Sequence, residues 1–366
     1  MQIDYTLLTD LYQLTMAQGY FRMGKTKNEA CFHMFFRECP FEGGYAIACG
    51  TAQLAQVIDS FKFTDEHIAY LASLDAPGGG RLFDGDFLEY LASYELSCDI
   101  DAVPEGTVVF PYEPLVRVKG PIIECQILET AFLNCVNFQT LIATKASRIC
   151  QAAAGRPVAE FGLRRAQGAA GGVWASRAAY VGGCASTSNV LAGSLFDIPV
   201  SGTHAHSWVM SFESELDAFR AYAQAFPTNC VLLVDTYDVR RGIENAIIVG
   251  HEMQERGHRH AGVRIDSGDL AWAARLARAM LDEAGLFDCG VVLSNDLDEY
   301  SVQAILDEGT PVSSWGIGTK LATAYDQPAL GGVYKLSAIR CDKGKPWHDC
   351  LKVSESMAKL TIPGIL

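Results

Sequence analysis

One histidine stands where a side chain could handle a proton or a phosphoryl group. His206 lies in the segment 201–208, which is rich in small residues and hydroxyls and follows the largely apolar run 195–200. A strand that ends in such a segment would place the imidazole at an open edge. His204 would lie on the opposite side of an extended backbone, and we predict no chemical role for it. A single histidine does not define a site, so the residues at the strand ends downstream must indicate whether His206 belongs to one.

Acidic side chains stand at the ends of three predicted strands downstream. Asp235, Asp266 and Asp296 come at or just after the end of an apolar run. In a parallel sheet these ends meet at one edge, where Asp235 could orient a histidine ring and Arg264 could bind an anion. Helix capping is the alternative for Asp235 and Asp296. A structural ion pair is the alternative for Arg264 and Asp266.

Two glycine-rich segments could bind phosphate. They cover residues 316–320 and 331–332. Glycine lets backbone amides approach a phosphate without interference from a Cβ atom. In the first segment, Gly318 is followed by the Thr319 hydroxyl and the Lys320 ammonium, which are further donors.

An aromatic residue and two cations come together at an earlier strand end. Phe161 is followed closely by Arg164 and Arg165. A ring that stacks on Phe161 and carries a carboxylate for an arginine would suit this segment. The combined set contains a histidine, acids suited to Mg²⁺-bound phosphates, phosphate loops and a site for a flat ring. Phosphoribosyl chemistry requires these parts.

The elements that must position these residues alternate between strand and helix. After a predicted helix over 128–154, apolar runs separated by helical stretches are centred near Val158, Ala185, Ile198, Leu233, Val263, Val292, Ser313 and Val333. This alternation predicts parallel βα units. Polar loops follow nearly every strand, which favours an irregular α/β barrel over an open doubly wound sheet.

The residues before this alternation indicate a different layer. Apolar spacing predicts helices over 6–19 and 84–94, a strand over 31–36 and two short strands within 103–118. We therefore expect three parts. They are an N-terminal α/β domain over 1–125, the barrel with its catalytic loops over 126–345, and the start of a C-terminal segment over 346–366.

Composition excludes several classes of protein. The 366 residues carry a formal charge of -14, which disfavours binding to a nucleic-acid backbone. No apolar stretch approaches the ~20 residues needed to cross a bilayer, and no signal sequence is evident, so we expect a cytoplasmic protein. The 12 cysteines show no close pairing and are expected to be reduced. Cys341, His348 and Cys350 lack a convincing fourth ligand for zinc.

The order of the motifs resembles that of the nicotinate phosphoribosyltransferases. The matching segments are 9–16, 161–165, 202–207, 264–269 and 318–320, and the resemblance extends from the N-terminus to about Lys359. It implies a type II phosphoribosyltransferase fold and a homodimer with shared active sites. It also implies the reaction of nicotinate with phosphoribosyl pyrophosphate to give nicotinate mononucleotide and pyrophosphate in NAD salvage. In this family ATP hydrolysis is coupled through a phosphohistidine.

The resemblance also implies individual roles. His206 would be phosphorylated and oriented by Asp235, and Arg264 would bind the nicotinate carboxylate. Phe161 and the partner subunit's Tyr12 would enclose the pyridine ring. The ribose and phosphates would be bound by Arg164, Asp266, Asp296, Gly318 and Thr319. Asn189 replaces an acid found in nicotinamide-using relatives, which favours an anionic substrate.

The chain departs from the family pattern at its end. Family members typically continue past the motif that stands here at 359–364, so we expect a shortened chain with a missing C-terminal part. Two alternatives to a nicotinate enzyme stay open, one from the same fold and one from the missing part. One is a nicotinamide or quinolinate phosphoribosyltransferase, and the other is a catalytically silent family member.

Overall fold

The computed structural model describes residues 4–352 and 362–366, so the first half of the 359–364 motif, residues 359–361, lies outside the described residues. The chain divides into two compact units. The first unit comprises Met1–Leu141 and Ala329–Leu366, and the second comprises Ile142–Pro328.

The strands, in chain order, are β1 (Glu29–Phe36), β2 (Ala46–Ile47), β3 (Asp99–Ala102), β4 (Val108–Val109), β5 (Val116–Pro121), β6 (Val158–Glu160), β7 (Ser186–Thr187), β8 (Val231–Leu233), β9 (Gly262–Ile265), β10 (Gly290–Asn295), β11 (Ser314–Ile317), β12 (Gly332–Arg340) and β13 (His348–Asp349).

The α-helices are α1 (Leu11–Arg22), α2 (Thr51–Ser60), α3 (Asp65–Ser73), α4 (Gly85–Ala92), α5 (Ile122–Ile127), α6 (Glu129–Ala152), α7 (Gly168–Val181), α8 (Val190–Phe196), α9 (His206–Met210), α10 (Glu215–Ala225), α11 (Val239–Glu255), α12 (Leu270–Glu283), α13 (Glu299–Asp307) and α14 (Thr319–Ala322). Short 3₁₀ turns cover Pro40–Glu42 and Leu163–Arg165. No helix within 4–352 or 362–366 has both the length and the apolar character needed to span a membrane.

The first unit is built on an antiparallel sheet with the order β13-β12-β1-β5-β3. All eight residues of β1 are buried because the strand is central, with β5 on one side and β12 on the other. The run near Val333, which we predicted as a barrel strand, is β12 of this sheet. That prediction was wrong because an apolar run does not encode which sheet its strand will join.

Gly332 also has a different role from the one predicted. It pairs with Phe36 of β1, and an added Cβ would lie 1.9 Å from Asn137 Oδ1. This glycine therefore permits close packing inside the first unit, and it does not form a phosphate loop beside the barrel strands.

The second unit contains a parallel sheet with the order β7-β6-β11-β10-β9-β8. Beyond β7 the chain continues the sheet through a single bridge between Thr187 and Val200. The apolar run near Ile198 therefore forms only this bridge and no full strand. Pro199 has no amide hydrogen, so it takes part only through its carbonyl, which accepts a hydrogen bond from Thr187 N. The fold is an irregular α/β barrel with an N-terminal α/β unit, as predicted.

The helices α11, α12 and α13 of the second unit each start at an aspartate whose side chain caps the helix. Asp238, not Asp235, caps α11, and Asp298, not Asp296, caps α13. Asp269 caps α12. The capping interpretation therefore does not hold for the two acids that were candidates for the site, Asp235 and Asp296.

The expected domain boundaries at 125 and 345 differ from the observed division. The predicted helix over 128–154 is α6, and it passes from one unit into the other. Residues 329–345 were expected in the barrel but belong to the first unit through β12. The helix predicted over 6–19 begins only at Leu11.

Candidate active site

The polar ends of the parallel strands line two adjoining cavities in the second unit. The first, here called the loop cavity, has a volume of about 140 Å³ and is lined by Phe161, Arg164, Arg165, Arg264, Asp266, Ser294, Asn295, Asp296, Gly316, Gly318 and Thr319. The second, here called the histidine cavity, has a volume of about 420 Å³ and is lined by Phe161, Arg164, Ser188, Gly202, Thr203, His204, Ala205, His206, Leu233, Arg264 and Asp266. The structure thus brings most of the predicted site residues together.

Arg264 lies where the two cavities adjoin, and its side chain is only 13% exposed. Its Nε donates to Ser294 Oγ at 2.8 Å, and its Nη1 donates to Thr203 Oγ1 at 3.0 Å. Its Nη2 lies 3.0 Å from Asp266 Oδ1. A guanidinium has five N–H donors, so two remain for an anion. The predicted Arg264–Asp266 pair exists and leaves the arginine able to bind a carboxylate.

Phe161 supplies an aromatic face beside this cation. The Arg264 guanidinium carbon lies 5.6 Å from the centre of the Phe161 ring. The ring lies close against β11, because an added Cβ on Gly316 would lie 2.6 Å from Phe161 Cε2. A flat anionic ring could stack on Phe161 while its carboxylate meets Arg264.

His206 is the first residue of α9 and lines the histidine cavity. Its Nδ1 lies 3.1 Å from Thr236 Oγ1. When Nδ1 donates to this hydroxyl, Nε2 carries the lone pair that a nucleophile needs. Sequence reasoning missed Thr236, although it directly follows the acid that was chosen as the orienting group.

Asp235 makes other contacts in the structure. Its Oδ2 accepts hydrogen bonds from Asp266 N at 2.9 Å and from Ser267 Oγ at 2.6 Å. Its Oδ1 is buried and has no hydrogen-bond partner among the described residues. Asp235 therefore fixes the end of β9. This geometry does not show the predicted orientation of His206 by Asp235.

His204 has a structural role. Its Nε2 accepts from Leu233 N at 3.2 Å, so Nδ1 carries the proton and faces Ala205 O at 3.4 Å. Burial lowers its pKa from 6.5 to about 4, which keeps the ring neutral. The ring joins the 199–204 segment to β8 and so continues the barrel where backbone pairing stops.

A buried carboxylate organises the start of the Phe161 loop. Glu160 is 1% exposed and accepts from Gly162 N, from Ser176 Oγ at 2.8 Å and from Thr187 Oγ1 at 2.6 Å. Asn189 is buried next to this group, where its Nδ2 donates to Ser176 Oγ at 3.1 Å. Its Oδ1 accepts from Ala192 N and caps α8. The Asn189 side chain is thus engaged with α7 and α8.

The 318–320 turn combines a site residue with an ion pair. Gly318 and Thr319 line the loop cavity, whereas Lys320 Nζ lies 2.6 Å from Asp298 Oδ2. Burial alone would raise the pKa of Asp298, but hydrogen bonds from Lys320 and Ser301 lower it to about 2. Lys320 was predicted as a phosphate donor, and in the structure it holds the cap of α13.

Tyr12 lies in the first unit, on α1, with 48% of its surface exposed. Burial and the nearby Glu129 raise its pKa to about 12, and its hydroxyl donates to Glu129 Oε1 at 3.3 Å. A largely exposed tyrosine held at one end by a hydrogen bond can offer its ring to another molecule.

The carboxylates of the cavities can serve a cation that arrives with phosphate. No group of three or more His, Cys, Asp or Glu side chains within 4–352 and 362–366 has the arrangement of a metal site. Mg²⁺, however, binds through one or two carboxylates together with substrate phosphates. Asp266 and Asp296 in the loop cavity, with the unpartnered buried oxygen of Asp235 nearby, fit that requirement.

Two family models and a curated relative identify the same protein family for this chain. Residues 7–137 match the family model of the nicotinate phosphoribosyltransferase N-terminal domain, and residues 157–357 match that of the nicotinate phosphoribosyltransferase family. Nicotinate phosphoribosyltransferase from Bacillus subtilis is 47% identical over 360 residues, which cover 98% of this chain and 71% of that protein.

Solved structures agree with this match. The crystal structure of human nicotinic acid phosphoribosyltransferase superposes with a TM-score of 0.79 at 37% identity, covering 93% of this chain and 76% of that one. Nicotinate-nucleotide pyrophosphorylase from Pyrococcus furiosus has a TM-score of 0.70 at 22% identity, covering 92% of this chain and 76% of that one, which establishes a shared fold.

Proposed function

The chain belongs to the nicotinate phosphoribosyltransferase family, and we propose that it joins nicotinate to phosphoribosyl pyrophosphate with coupled ATP hydrolysis. The products are nicotinate mononucleotide and pyrophosphate. We place this reaction in NAD salvage in the cytoplasm, in a homodimer whose partner subunit contributes to each site. The observation that carries the proposal is the position of the Arg264 guanidinium. Its carbon lies 5.6 Å from the Phe161 ring centre, and two of its five N–H donors remain for an anion.

The ring-binding step rests on Arg264 and Phe161. Nicotinate carries a carboxylate on a flat ring, so stacking on Phe161 and a charge-assisted bond to Arg264 would bind both features. Tyr12 of the partner subunit is proposed to cover the other face of the ring. A carboxamide lacks the charge that Arg264 would meet, which favours nicotinate over nicotinamide.

The phosphoribosyl end is proposed to occupy the loop cavity. Arg164 and the backbone and hydroxyl of Gly318 and Thr319 are the donors that would meet its phosphates. Asp266 and Asp296 are the carboxylates that would hold Mg²⁺. Bound there, the ion would neutralise charge on the departing pyrophosphate.

His206 is the proposed phosphoryl acceptor. With Nδ1 on Thr236, Nε2 is free to attack the γ-phosphorus of ATP, forming an N–P bond as the P–O bond to ADP breaks. The histidine cavity adjoins the loop cavity through Arg264 and Asp266, so a phosphoryl group on His206 would stand near the phosphates of the second substrate.

A pyridine panel tests the substrate. Steady-state rates with nicotinate, nicotinamide and quinolinate, each with phosphoribosyl pyrophosphate and with or without ATP and Mg²⁺, should be highest for nicotinate with ATP. Faster turnover of nicotinamide or quinolinate would overturn the substrate assignment. No turnover of any of the three would favour a catalytically silent protein.

Labelling with γ-labelled ATP tests the role of His206. The wild-type protein should incorporate acid-labile label, and His206→Ala should not. His258→Ala is the matched control because His258 is exposed and lies outside both cavities. Equal labelling of the His206→Ala protein and the control would refute the phosphohistidine.

A further inference from the structure

Lys145 is a buried cation to which the proposed reaction assigns no role. It lies on α6 and its side chain is 1% exposed. Its Nζ is 2.6 Å from Glu299 Oε2 and 2.8 Å from Asp326 Oδ1. A charge removed from water in this way is costly unless it is paired, so the position of Lys145 depends on these two carboxylates.

The two carboxylates belong to segments that continue from the walls of the loop cavity. Glu299 is the first residue of α13 and comes shortly after Asn295 and Asp296, which line that cavity. Asp326 follows α14, whose first residue, Thr319, lines the same cavity. Lys145 therefore connects the segment after β10 to the segment after β11 without lining the loop cavity itself.

A second ion pair joins the same two segments. Lys320 of α14 lies 2.6 Å from Asp298, the cap of α13. The low pKa of Asp298 keeps its carboxylate ionised across the neutral range. Lys145 and Lys320 thus hold the two segments together at two points.

We propose that Lys145 is a positioning residue that sets the separation between the 295–296 loop and the 318–319 turn, and thereby the affinity for the pyrophosphate group. The inference rests on the proposed function only in assigning the loop cavity to a pyrophosphate-bearing substrate. Donors and carboxylates held in place need no rearrangement when the anion binds. A shift of about 1 Å between catalytic groups can cost on the order of a hundredfold in rate.

Removal of this cation should leave the fold intact. Glu299 also accepts from Arg148 Nε at 2.7 Å, so it keeps a cation when Lys145 becomes methionine. The Asp326 side chain is 42% exposed and can be hydrated instead. Methionine matches the unbranched lysine side chain as far as Cε, so Lys145→Met removes the ammonium group that joins the two segments.

The experiment measures binding of inorganic pyrophosphate in the presence of Mg²⁺ by titration calorimetry on the full chain. Lys145→Met should weaken pyrophosphate binding about tenfold or more, while the KM for nicotinate changes by less than about twofold. Lys145→Arg, which keeps the charge, should recover a large part of the affinity. Because pyrophosphate binding needs no turnover, the binding result is independent of whether the chain is an active transferase, whereas the KM comparison requires the active enzyme.

The matched control is Arg278→Met. Arg278 is a partly buried cation on α12 that bonds to Cys289 O and Leu286 O, beside the start of β10 and away from the loop cavity. Unchanged pyrophosphate affinity in Lys145→Met, or an equal loss in Arg278→Met, would overturn the proposal. If Lys145→Met does not fold, Asp326→Asn decides it, because unchanged affinity in that variant has the same consequence.

Discussion

The Nδ1 atom of His206 lies 3.1 Å from the hydroxyl of Thr236, and the carboxylate of Asp235 bonds to Ser267 and to the amide of Asp266. The hydroxyl thus orients the imidazole, and the carboxylate holds the neighbouring strand end. The roles of Thr236 and Asp235 can therefore be separated by mutation.

Thr236→Val should slow phosphorylation of His206. Valine keeps the shape of threonine but cannot hydrogen bond to Nδ1, so the ring loses the contact that fixes its tautomer. A hydrogen bond of about 1 kcal/mol corresponds to roughly a fivefold to tenfold slower rate of labelling by γ-labelled ATP. The exposed Thr228→Val is the control. A normal rate in Thr236→Val together with a slow rate in Asp235→Asn would restore the orienting role to Asp235.

Gly316→Ala should weaken nicotinate binding without preventing folding. The new methyl group would lie 2.6 Å from Phe161 Cε2 and would push the ring out of position. The KM for nicotinate should rise about tenfold. Gly331→Ala is the matched control because nothing lies within 4 Å of its added Cβ. An unchanged KM for nicotinate in Gly316→Ala would mean that Phe161 does not bind the ring.

Gly242→Ala should destabilise the second unit. Its added Cβ would lie 1.9 Å from Val234 O, so α11 could no longer pack directly on the end of β8. Forced overpacking costs about 1–3 kcal/mol, measured as the free energy of unfolding in urea. At Gly171, inside α7, an added Cβ meets nothing within 4 Å, and alanine should stabilise by about 0.5–1 kcal/mol. Similar midpoints for both variants would contradict this packing.

Sequence reasoning predicted the barrel because parallel strands leave a local signature. The residues at the strand ends, such as Phe161, Arg264 and His206, could be found because their chemistry stands beside an apolar run. The strand near Val333 was placed in the wrong sheet, since strand partners are set by packing and not by local pattern.

The contacts that support the site were harder to find from the sequence. Thr236, Thr203 and Ser294 are ordinary hydroxyls whose role depends on which strand lies next to theirs. The sequence indicated these three residues only by their position, because each lies within a few residues of a predicted site residue. Glu160 gave a stronger signal, as an acid inside an apolar strand next to Phe161, and this signal was overlooked.

We expect His204 to make folding sensitive to mild acid. Burial lowers its folded pKa from 6.5 to about 4, so between these values the unfolded chain binds a proton that the folded chain does not. Stability from this group is complete above about pH 6.5 and is lost as the pH falls toward 4. The loss amounts to about 3 kcal/mol at most. His204→Gln, whose side-chain oxygen can accept from Leu233 N, should remove this part of the pH dependence.

The measurement for His204 is the free energy of unfolding in urea at pH 7 and at pH 4.5. Titration of carboxylates affects wild type and variant alike, so the difference between them isolates the histidine. The wild-type protein should lose more stability than His204→Gln over this interval, because only wild type must keep a neutral imidazole buried. His258→Gln, at an exposed position, should follow the wild-type curve. Parallel curves for wild type and His204→Gln would show that the ring takes up its proton as readily in the folded protein as in the unfolded chain, which would contradict its hydrogen bond from Leu233 N.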